Sequence, residues 1–133
     1  FHRHNSEIEQ MIKKYTKQKF KFTFTPHLSP MFRGIFSTIY VDLNKGKTIN
    51  DLYRELSKFY RKAIFVKIQK IDTLISTNDV INTNDCIISI CKSKYTNKVI
   101  ILSSIDNLIK GGAGQAIQNM NILNDFNAKE GLK

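Results

Sequence analysis

The sequence predicts an α+β domain with a mixed, largely antiparallel sheet and helices on one face. Two observations support this fold class: strand-like apolar segments outnumber helical ones, and they do not alternate regularly with helices. At 133 residues the chain is long enough for one domain with a core, but short for a complete two-domain enzyme. No stretch approaches the roughly 20 apolar residues of a membrane span, so we expect no membrane association.

The first element that the sequence predicts is a helix, and a strand follows it. Ser6 and Glu9 can form a capping box, and apolar residues recur at helical spacing over 8–15. Phe and polar residues then alternate over 20–24, which predicts a half-buried strand. Two prolines end this strand and make the next segment irregular.

The middle of the chain predicts a strand, a turn and a second helix. Residues 35–41 are rich in β-formers. The Asn-Lys-Gly sequence at 44–46 is a turn signal. Thr48 and Asp51 then make a plausible cap for a helix whose apolar residues lie on one side.

The remainder is predicted to be mostly strand. Residues 64–68 form one candidate strand, and the polar stretch 76–84 is expected to be a loop or a short irregular strand. Residues 85–91 can pair with 99–104 across a turn at 94–97. The polar tail that follows the last helix is expected to be partly disordered.

Three closely spaced glycines, Gly111, Gly112 and Gly114, follow the last strand and open a helical segment. Such glycines let backbone N–H groups approach a phosphate at a helix N-terminus. They can equally make a tight turn and let the helix pack closely. Their order matches neither the Walker loop nor the Rossmann fingerprint, so spacing alone does not decide between the two interpretations.

The formal net charge of +10 suggests a nucleic-acid partner, but the pattern of the charge does not. Most basic residues are lysines scattered among Ile and Asn, and all three residues are favoured by AT-rich codons. No basic-aromatic module accompanies them, so we expect no nucleic-acid binding. A stand-alone basic interaction module stays as an alternative, and a steep salt dependence of nucleic-acid affinity would support it.

The two cysteines, Cys86 and Cys91, lie in one apolar run. In a strand, five residues of separation place them on opposite faces and too far apart for a disulfide. Both are therefore expected to be reduced structural residues of a cytoplasmic protein.

Three histidines and an arginine are the residues whose chemistry suggests a site. His2 and His4 lie two residues apart, and an imidazole leading into a helix could act as a general acid/base. A zinc site would need a third ligand at suitable spacing, which is missing, so no metal is expected. His27 lies in a stiff loop between two prolines, and Arg33 precedes a glycine, where its guanidinium could bind a phosphate or carboxylate.

Three motifs together resemble one family. They are His-Arg-His-x-x-Glu-Ile from His2, Phe-Thr-Pro-His-Leu-x-Pro-Met-x-Arg-Gly-Ile from Phe24, and Asp-Asn-Leu-x-Lys-Gly-x-x-Gly-Gln-Ala-x-Gln-Asn-Met-Asn from Asp106. In this order they are similar to motifs of N-acetyl-gamma-glutamyl-phosphate reductase, and the resemblance runs from Phe1 to about Leu123.

The resemblance implies an activity and a role for each candidate residue. A cysteine thiolate attacks an acyl phosphate, and NADPH then reduces the resulting thioester to a semialdehyde. His4 would be the acid/base, and His2 would support it through a substrate contact. Arg33 would bind an anionic group of the substrate, with His27 as a weaker candidate, and Asn107 would contact the nicotinamide amide of NADP.

The resemblance also implies a domain organisation. The family's nucleotide-binding motif and its Pro-Gly-Cys nucleophile do not occur in this sequence, so we expect a C-terminal fragment that is inactive alone. Residues 1–106 would form the catalytic and dimerisation domain of a glyceraldehyde-phosphate-dehydrogenase-like enzyme. Residues 107–133 would return toward the missing NADP-binding domain, and the small glycines would serve close packing there. The family implies a homo-oligomer.

The substrate chemistry leaves one alternative within the same reaction class. The reductase of arginine biosynthesis acts on N-acetyl-glutamyl 5-phosphate, whereas the equivalent enzyme of lysine biosynthesis acts on an N-acylated aminoadipyl phosphate. One methylene changes binding by only about 1–3 kcal/mol, so the sequence does not distinguish the two.

Overall fold

The computed structural model describes residues 4–16 and 20–133, and the chain divides into two compact units, Phe1–Met31 and Phe32–Lys133. No helix in the described ranges is both long enough and apolar enough to cross a membrane. The regular elements, in chain order, are α1 (His4–Tyr15), β1 (Ile35–Asp42), α2 (Ile49–Phe59), β2 (Val66–Ile68), β3 (Cys86–Lys92), β4 (Lys98–Ile105) and α3 (Gly114–Leu123).

The first unit contains the predicted helix but not the predicted strand. Helix α1 begins at His4, so Ser6 lies in its first turn and the prediction that Ser6 caps the helix is wrong. The prediction of a strand over 20–24 is also wrong, since these residues have no regular secondary structure. The described part of this unit holds no other strand, and an extended segment becomes a strand only by pairing with a neighbour. The rings of Phe20 and Phe22 lie 6.2 Å apart.

The second unit is built on a four-stranded sheet with the strand order β1-β4-β3-β2. Strand β4 pairs antiparallel with both β1 and β3, whereas β2 pairs parallel with β3. The predicted hairpin of β3 and β4 is therefore confirmed, and so is the mixed, largely antiparallel sheet. Strand β2 is shorter than predicted, because Phe65 and the residues before it form turns.

The core lies on both faces of the two central strands. Ile90 and Val99 share one face and are almost completely buried. On the opposite face the buried hydroxyls of Ser89 and Ser104 donate to backbone oxygens of the segment between β2 and β3, at 2.6 and 3.1 Å. Buried hydroxyls need such partners, so these bonds hold that segment against the sheet. Its polar part contains a short 3₁₀ turn, Thr77–Asp79, which matches the predicted loop.

The predicted cap of helix α2 is confirmed, and it takes the form of a capping box. The Thr48 hydroxyl accepts from the N–H of Asp51 at 3.2 Å, and the Asp51 carboxylate accepts from the N–H of Thr48 at 2.8 Å. The hydrogen bonds from the Thr48 side chain and backbone, with a further one from Arg54, lower the pKa of Asp51 to about 2. Two otherwise unpaired N–H groups at the helix start are thereby satisfied.

The cysteines and the C-terminal tail have defined places in the second unit. Cys86 and Cys91 are both free, and their register places them on opposite faces of β3, as predicted. The tail forms turns after α3, and its last carbonyl, at Lys133, accepts from the N–H of Asn84 at 2.6 Å. The predicted partial disorder of the tail is not what the structure shows. The predicted domain boundary at 106/107 stays a prediction.

Candidate functional site

The register of β1 and β4 brings together two segments that are far apart in sequence. Ile35 at the start of β1 pairs with Ile105 at the end of β4. The residues just outside this pair, Arg33 and Gly34 on one side and Asp106 and Asn107 on the other, therefore meet at one corner of the sheet. We call these four residues the corner cluster.

Arg33 and Asp106 form the charged half of the corner cluster. The Nε–H of Arg33 donates to Oδ1 of Asp106 at 3.0 Å, and Nη2 lies 2.9 Å from Oδ2. This two-point contact fixes the plane of the guanidinium as well as its position. The Asp106 side chain is fully buried, whereas the Arg33 side chain is 20% exposed. The buried carboxylate therefore holds one edge of the guanidinium of an arginine whose side chain is partly exposed.

Backbone groups complete the surroundings of Asp106. Its Oδ2 also accepts from the N–H of Asn82 at 2.8 Å. Its Oδ1 accepts from the N–H groups of Leu108 and Ile109 at 2.9 and 3.1 Å. Burial raises the pKa of Asp106, but the hydrogen bonds from Arg33 and these three N–H groups outweigh it and hold the pKa below its usual value. Asp106 is thus ionised at neutral pH.

Gly34 and Asn107 form the uncharged half of the corner cluster. The N–H of Gly34 donates to Oδ1 of Asn107 at 2.8 Å. A backbone N–H can only donate, so the side-chain oxygen of Asn107 is the atom that faces Gly34 and the Nδ2 amide faces away. Gly34 has a φ of +111°, and a Cβ there would lie 2.7 Å from Thr77. Only glycine fits this position without strain.

The glycine-rich segment after Asn107 is a tight turn that leads into α3. The N–H of Gly111 donates to the carbonyl of Asp106 at 2.9 Å, and the chain kinks within Ile109–Ala113 at Gly112, whose φ of −149° and ψ of −113° are not helical. Gly114 is buried, and a Cβ there would lie 2.5 Å from both Asn84 and Ile109. The packing interpretation of Gly114 is therefore confirmed.

Lys110, which is part of the third sequence motif, lies in the same turn. Its ammonium donates to the Gln118 side chain at 2.8 Å and lies 5.5 Å from the centre of the Phe65 ring. Burial lowers the pKa of Lys110, while the nearby Cys86 and Asp85 partly oppose this effect. Lys110 therefore joins the turn to α3 and to the start of β2.

The histidines belong to the first unit. His4 is the first residue of α1, and its Nε2 lies 3.9 Å from Oε2 of Glu7. His27 is exposed in the loop between the prolines, and its Nδ1 lies 3.1 Å from the carbonyl of Thr25. His2 lies outside the described residues. The structure thus brings Arg33 and Asn107 together in the second unit. The catalytic roles of the histidines and the binding roles of Arg33 and Asn107 stay predictions.

Sequence reasoning overlooked Asp106 as a candidate site residue. It is the first residue of the third motif, and it directly follows a strand and precedes a helical turn. An Asp in that position commonly accepts N–H groups two and three residues further on. This local signal was available in the sequence, whereas the pairing with Arg33 follows from the sheet register.

In the described part of the chain, no three His, Cys, Asp or Glu side chains converge as metal ligands would. Comparison with known proteins instead points to a family. Residues 1–107 match the model of the semialdehyde dehydrogenase dimerisation domain.

The chain also aligns with proteins named N-acetyl-gamma-glutamyl-phosphate reductase. It is 46% identical over 132 residues to the one from Staphylococcus aureus (strain MRSA252), and this alignment covers 99% of the present chain and 38% of the relative. It is 45% identical over 122 residues to the one from Thermoanaerobacter pseudethanolicus (strain ATCC 33223 / 39E), and this alignment covers 92% of the present chain and 36% of the relative. The chain thus spans less than two fifths of the length of these relatives.

Proposed function

Because the chain belongs to the semialdehyde dehydrogenase dimerisation-domain family, we propose that it is the C-terminal part of an N-acetyl-gamma-glutamyl-phosphate reductase. The whole enzyme would reduce N-acetyl-glutamyl 5-phosphate to N-acetyl-glutamate 5-semialdehyde in arginine biosynthesis. The observation that carries this proposal is the 46% identity to a relative of that name over 99% of the chain. The nucleophilic cysteine and the nucleotide domain would come from the rest of the protein.

We assign the proton transfers to His4. Attack of a thiolate on the acyl phosphate gives a tetrahedral oxyanion, which collapses to the thioester as phosphate leaves, and a nearby imidazole can donate a proton to the oxyanion and take it back. His4 is exposed at the N-terminal end of α1, where its ring is accessible to a ligand. His2 would make a supporting substrate contact, and His27 is the weaker candidate for such a contact.

Arg33 would bind an anionic group of the substrate. A guanidinium has five N–H groups, of which Asp106 engages two, so three are left for a second anion. The side chain is 20% exposed, and we expect these N–H groups to lie on its exposed part. An arginine suits this task because its fork matches the two oxygens of a carboxylate or phosphate.

NADP is the cofactor that we propose, and Asn107 is the residue of this chain that would contact it. When bound, NADPH supplies the hydride that the reduction requires. The chemistry of Asn107 fits the carboxamide of the nicotinamide, since Gly34 occupies the oxygen of Asn107 and leaves the Nδ2 amide as a donor. Most of the cofactor contacts would come from the preceding domain.

The proposed function can be tested with the full-length enzyme carrying His4→Asn. We expect kcat to fall by about 10²–10⁴-fold, as is usual for loss of a general acid/base, while NADPH binding stays within twofold. His2→Asn serves as the matched variant and should mainly raise KM for the acyl phosphate. An unchanged kcat in His4→Asn, or a larger loss of kcat in His2→Asn, would contradict the assignment of the acid/base.

The substrate assignment needs its own measurement. The full-length enzyme should show a higher kcat/KM for N-acetyl-glutamyl phosphate than for its aminoadipyl homologue, by about 10–200-fold for one methylene. The reverse preference would indicate the lysine-pathway reaction. If neither compound is reduced and the chain instead binds nucleic acid with a steep salt dependence, the basic interaction module would be the better description.

We also infer that the enzyme is a homo-oligomer that associates through the sheet of this domain. The family model is that of a dimerisation domain, and β1 at the sheet edge exposes apolar side chains on both faces, Ile39 at 45% and Tyr40 at 72%. Ile39→Asp and Tyr40→Asp place the same charge on opposite faces. One of the two variants should sediment as a smaller species. If neither changes the sedimentation coefficient, the sheet is not the interface.

A further inference from the structure

The buried carboxylate of Asp106 accepts hydrogen bonds from two kinds of donor, backbone N–H groups and one arginine side chain. Three backbone N–H groups, of Asn82, Leu108 and Ile109, donate to it, and the remaining two bonds come from Arg33. The backbone groups belong to two separate segments of the second unit, so they orient the carboxylate whether or not Arg33 is present. The backbone therefore orients the Asp106 carboxylate, and the carboxylate in turn orients the Arg33 guanidinium.

Holding the two strands together does not require this ion pair. Strands β1 and β4 are paired along their whole length, from Ile35 with Ile105 to Asp42 with Lys98. At the same corner, Gly34 already donates to Asn107. A buried ion pair is in general weak evidence for added stability, because removing the charges from water costs as much as their attraction returns. What it does supply is a fixed orientation.

The ion pair also fixes the direction of the guanidinium N–H groups that do not contact Asp106. A free arginine side chain samples many rotamers and loses that freedom when it binds a ligand. In Arg33 the Nε and Nη2 contacts define the guanidinium plane, and the side chain is only 20% exposed. Its unused N–H groups are therefore already directed before a ligand arrives, which lowers the entropic cost of binding.

We propose that Asp106 is a positioning residue, which holds the Arg33 guanidinium so that its free N–H groups bind an oxyanion of the substrate. This inference rests on the role of Arg33 in the proposed function. The oxyanion belongs either to the phosphoryl group or to the carboxylate of the amino-acid moiety, and the reverse reaction separates these two sources.

The test measures the reverse reaction of the full-length enzyme, with N-acetyl-glutamate 5-semialdehyde, inorganic phosphate and NADP as substrates. In Asp106→Asn we expect KM for one of the two oxyanion-bearing substrates to rise about tenfold, because the guanidinium is no longer held. A rise for phosphate identifies the phosphoryl site, and a rise for the semialdehyde identifies the carboxylate site. KM for NADP should change less than twofold.

Two further variants separate this inference from the proposed function and from simple stability. Arg33→Lys should raise KM for the same substrate as Asp106→Asn does; if it changes no KM, the role of Arg33 itself fails. If Arg33→Lys raises KM and Asp106→Asn lowers only the melting temperature, the positioning role alone is overturned. Asp42→Asn is the matched control, since Asp42 pairs with Lys98 at the other end of the same strands. It should leave every KM within twofold.

A measurement on the unsubstituted enzyme covers the case in which Asp106→Asn does not fold. In the full-length enzyme labelled with ¹⁵N-arginine, the Arg33 side chain, assigned by its absence in Arg33→Lys, should show a slowly exchanging Nε–H and separate Nη signals. Rapid exchange with averaged Nη signals would mean that the guanidinium rotates freely, which overturns the positioning role.

Discussion

Replacing Gly34 by alanine tests the geometry of the corner cluster directly. Gly34 combines a φ of +111° with a close neighbour, since an ideal Cβ would lie 2.7 Å from both Cβ and Cγ2 of Thr77. Thr77 is part of the short 3₁₀ turn that lies against the sheet, so it has little room to move. Alanine at this position would therefore be disfavoured both by the backbone conformation and by the steric clash with Thr77.

The magnitude follows from these two terms. A positive φ costs a non-glycine residue about 1–2 kcal/mol. Overpacking a tight contact adds about 1–3 kcal/mol. We therefore expect Gly34→Ala to lower the free energy of unfolding by roughly 2–5 kcal/mol. Gly46→Ala is the matched control, because Gly46 also has a positive φ, of +77°, but nothing lies within 4 Å of its Cβ position. It should cost only about 1–2 kcal/mol.

Urea unfolding followed by far-UV circular dichroism measures both variants. The transition midpoint should fall further for Gly34→Ala than for Gly46→Ala, with the same dependence on urea concentration. The difference between the two variants isolates the contact with Thr77. If Gly34→Ala is no more destabilising than Gly46→Ala, the close packing of Gly34 against Thr77 is refuted.

Three further predictions address the cap, the core and the ionised carboxylate. Thr48→Ala removes the capping box of α2 and should lower the free energy of unfolding by about 1 kcal/mol, measured by urea titration; no change would contradict a stabilising cap. Ile90→Ala leaves a cavity in the core and should cost about 2–5 kcal/mol in the same assay, whereas Ile64→Ala at a half-exposed position should cost less. Because the pKa of Asp106 is lower in the folded chain than in the unfolded one, its ionised form stabilises the fold at neutral pH, and this stabilisation is lost as the pH falls from about 4 through the folded pKa. Between pH 7 and pH 3 the free energy of unfolding should therefore fall less in Asp106→Asn than in the unsubstituted chain. An equal fall would contradict the lowered pKa of Asp106.

Much of the fold was predictable because its signals are local. The capping box of Thr48 and Asp51, the turn at 44–46 and the hairpin of β3 and β4 all depend on residues close in sequence. The strand predicted over 20–24 failed for the opposite reason, since alternation shows only that a segment could pair with a neighbour. Ser6 has a capping residue's chemistry, but the helix extends one turn further toward the N-terminus.

For the candidate site, the sequence by itself determined which residue types are present and, through three motifs, which family they resemble. It identified Arg33 and Asn107 as candidate binding residues. Only the tertiary structure decided that both lie at one corner of the sheet, that Arg33 is held by the buried Asp106, and that the oxygen of Asn107 faces Gly34. The physical reason is that these contacts join residues 73 positions apart, and the register of β1 with β4, which no local pattern encodes, brings them together.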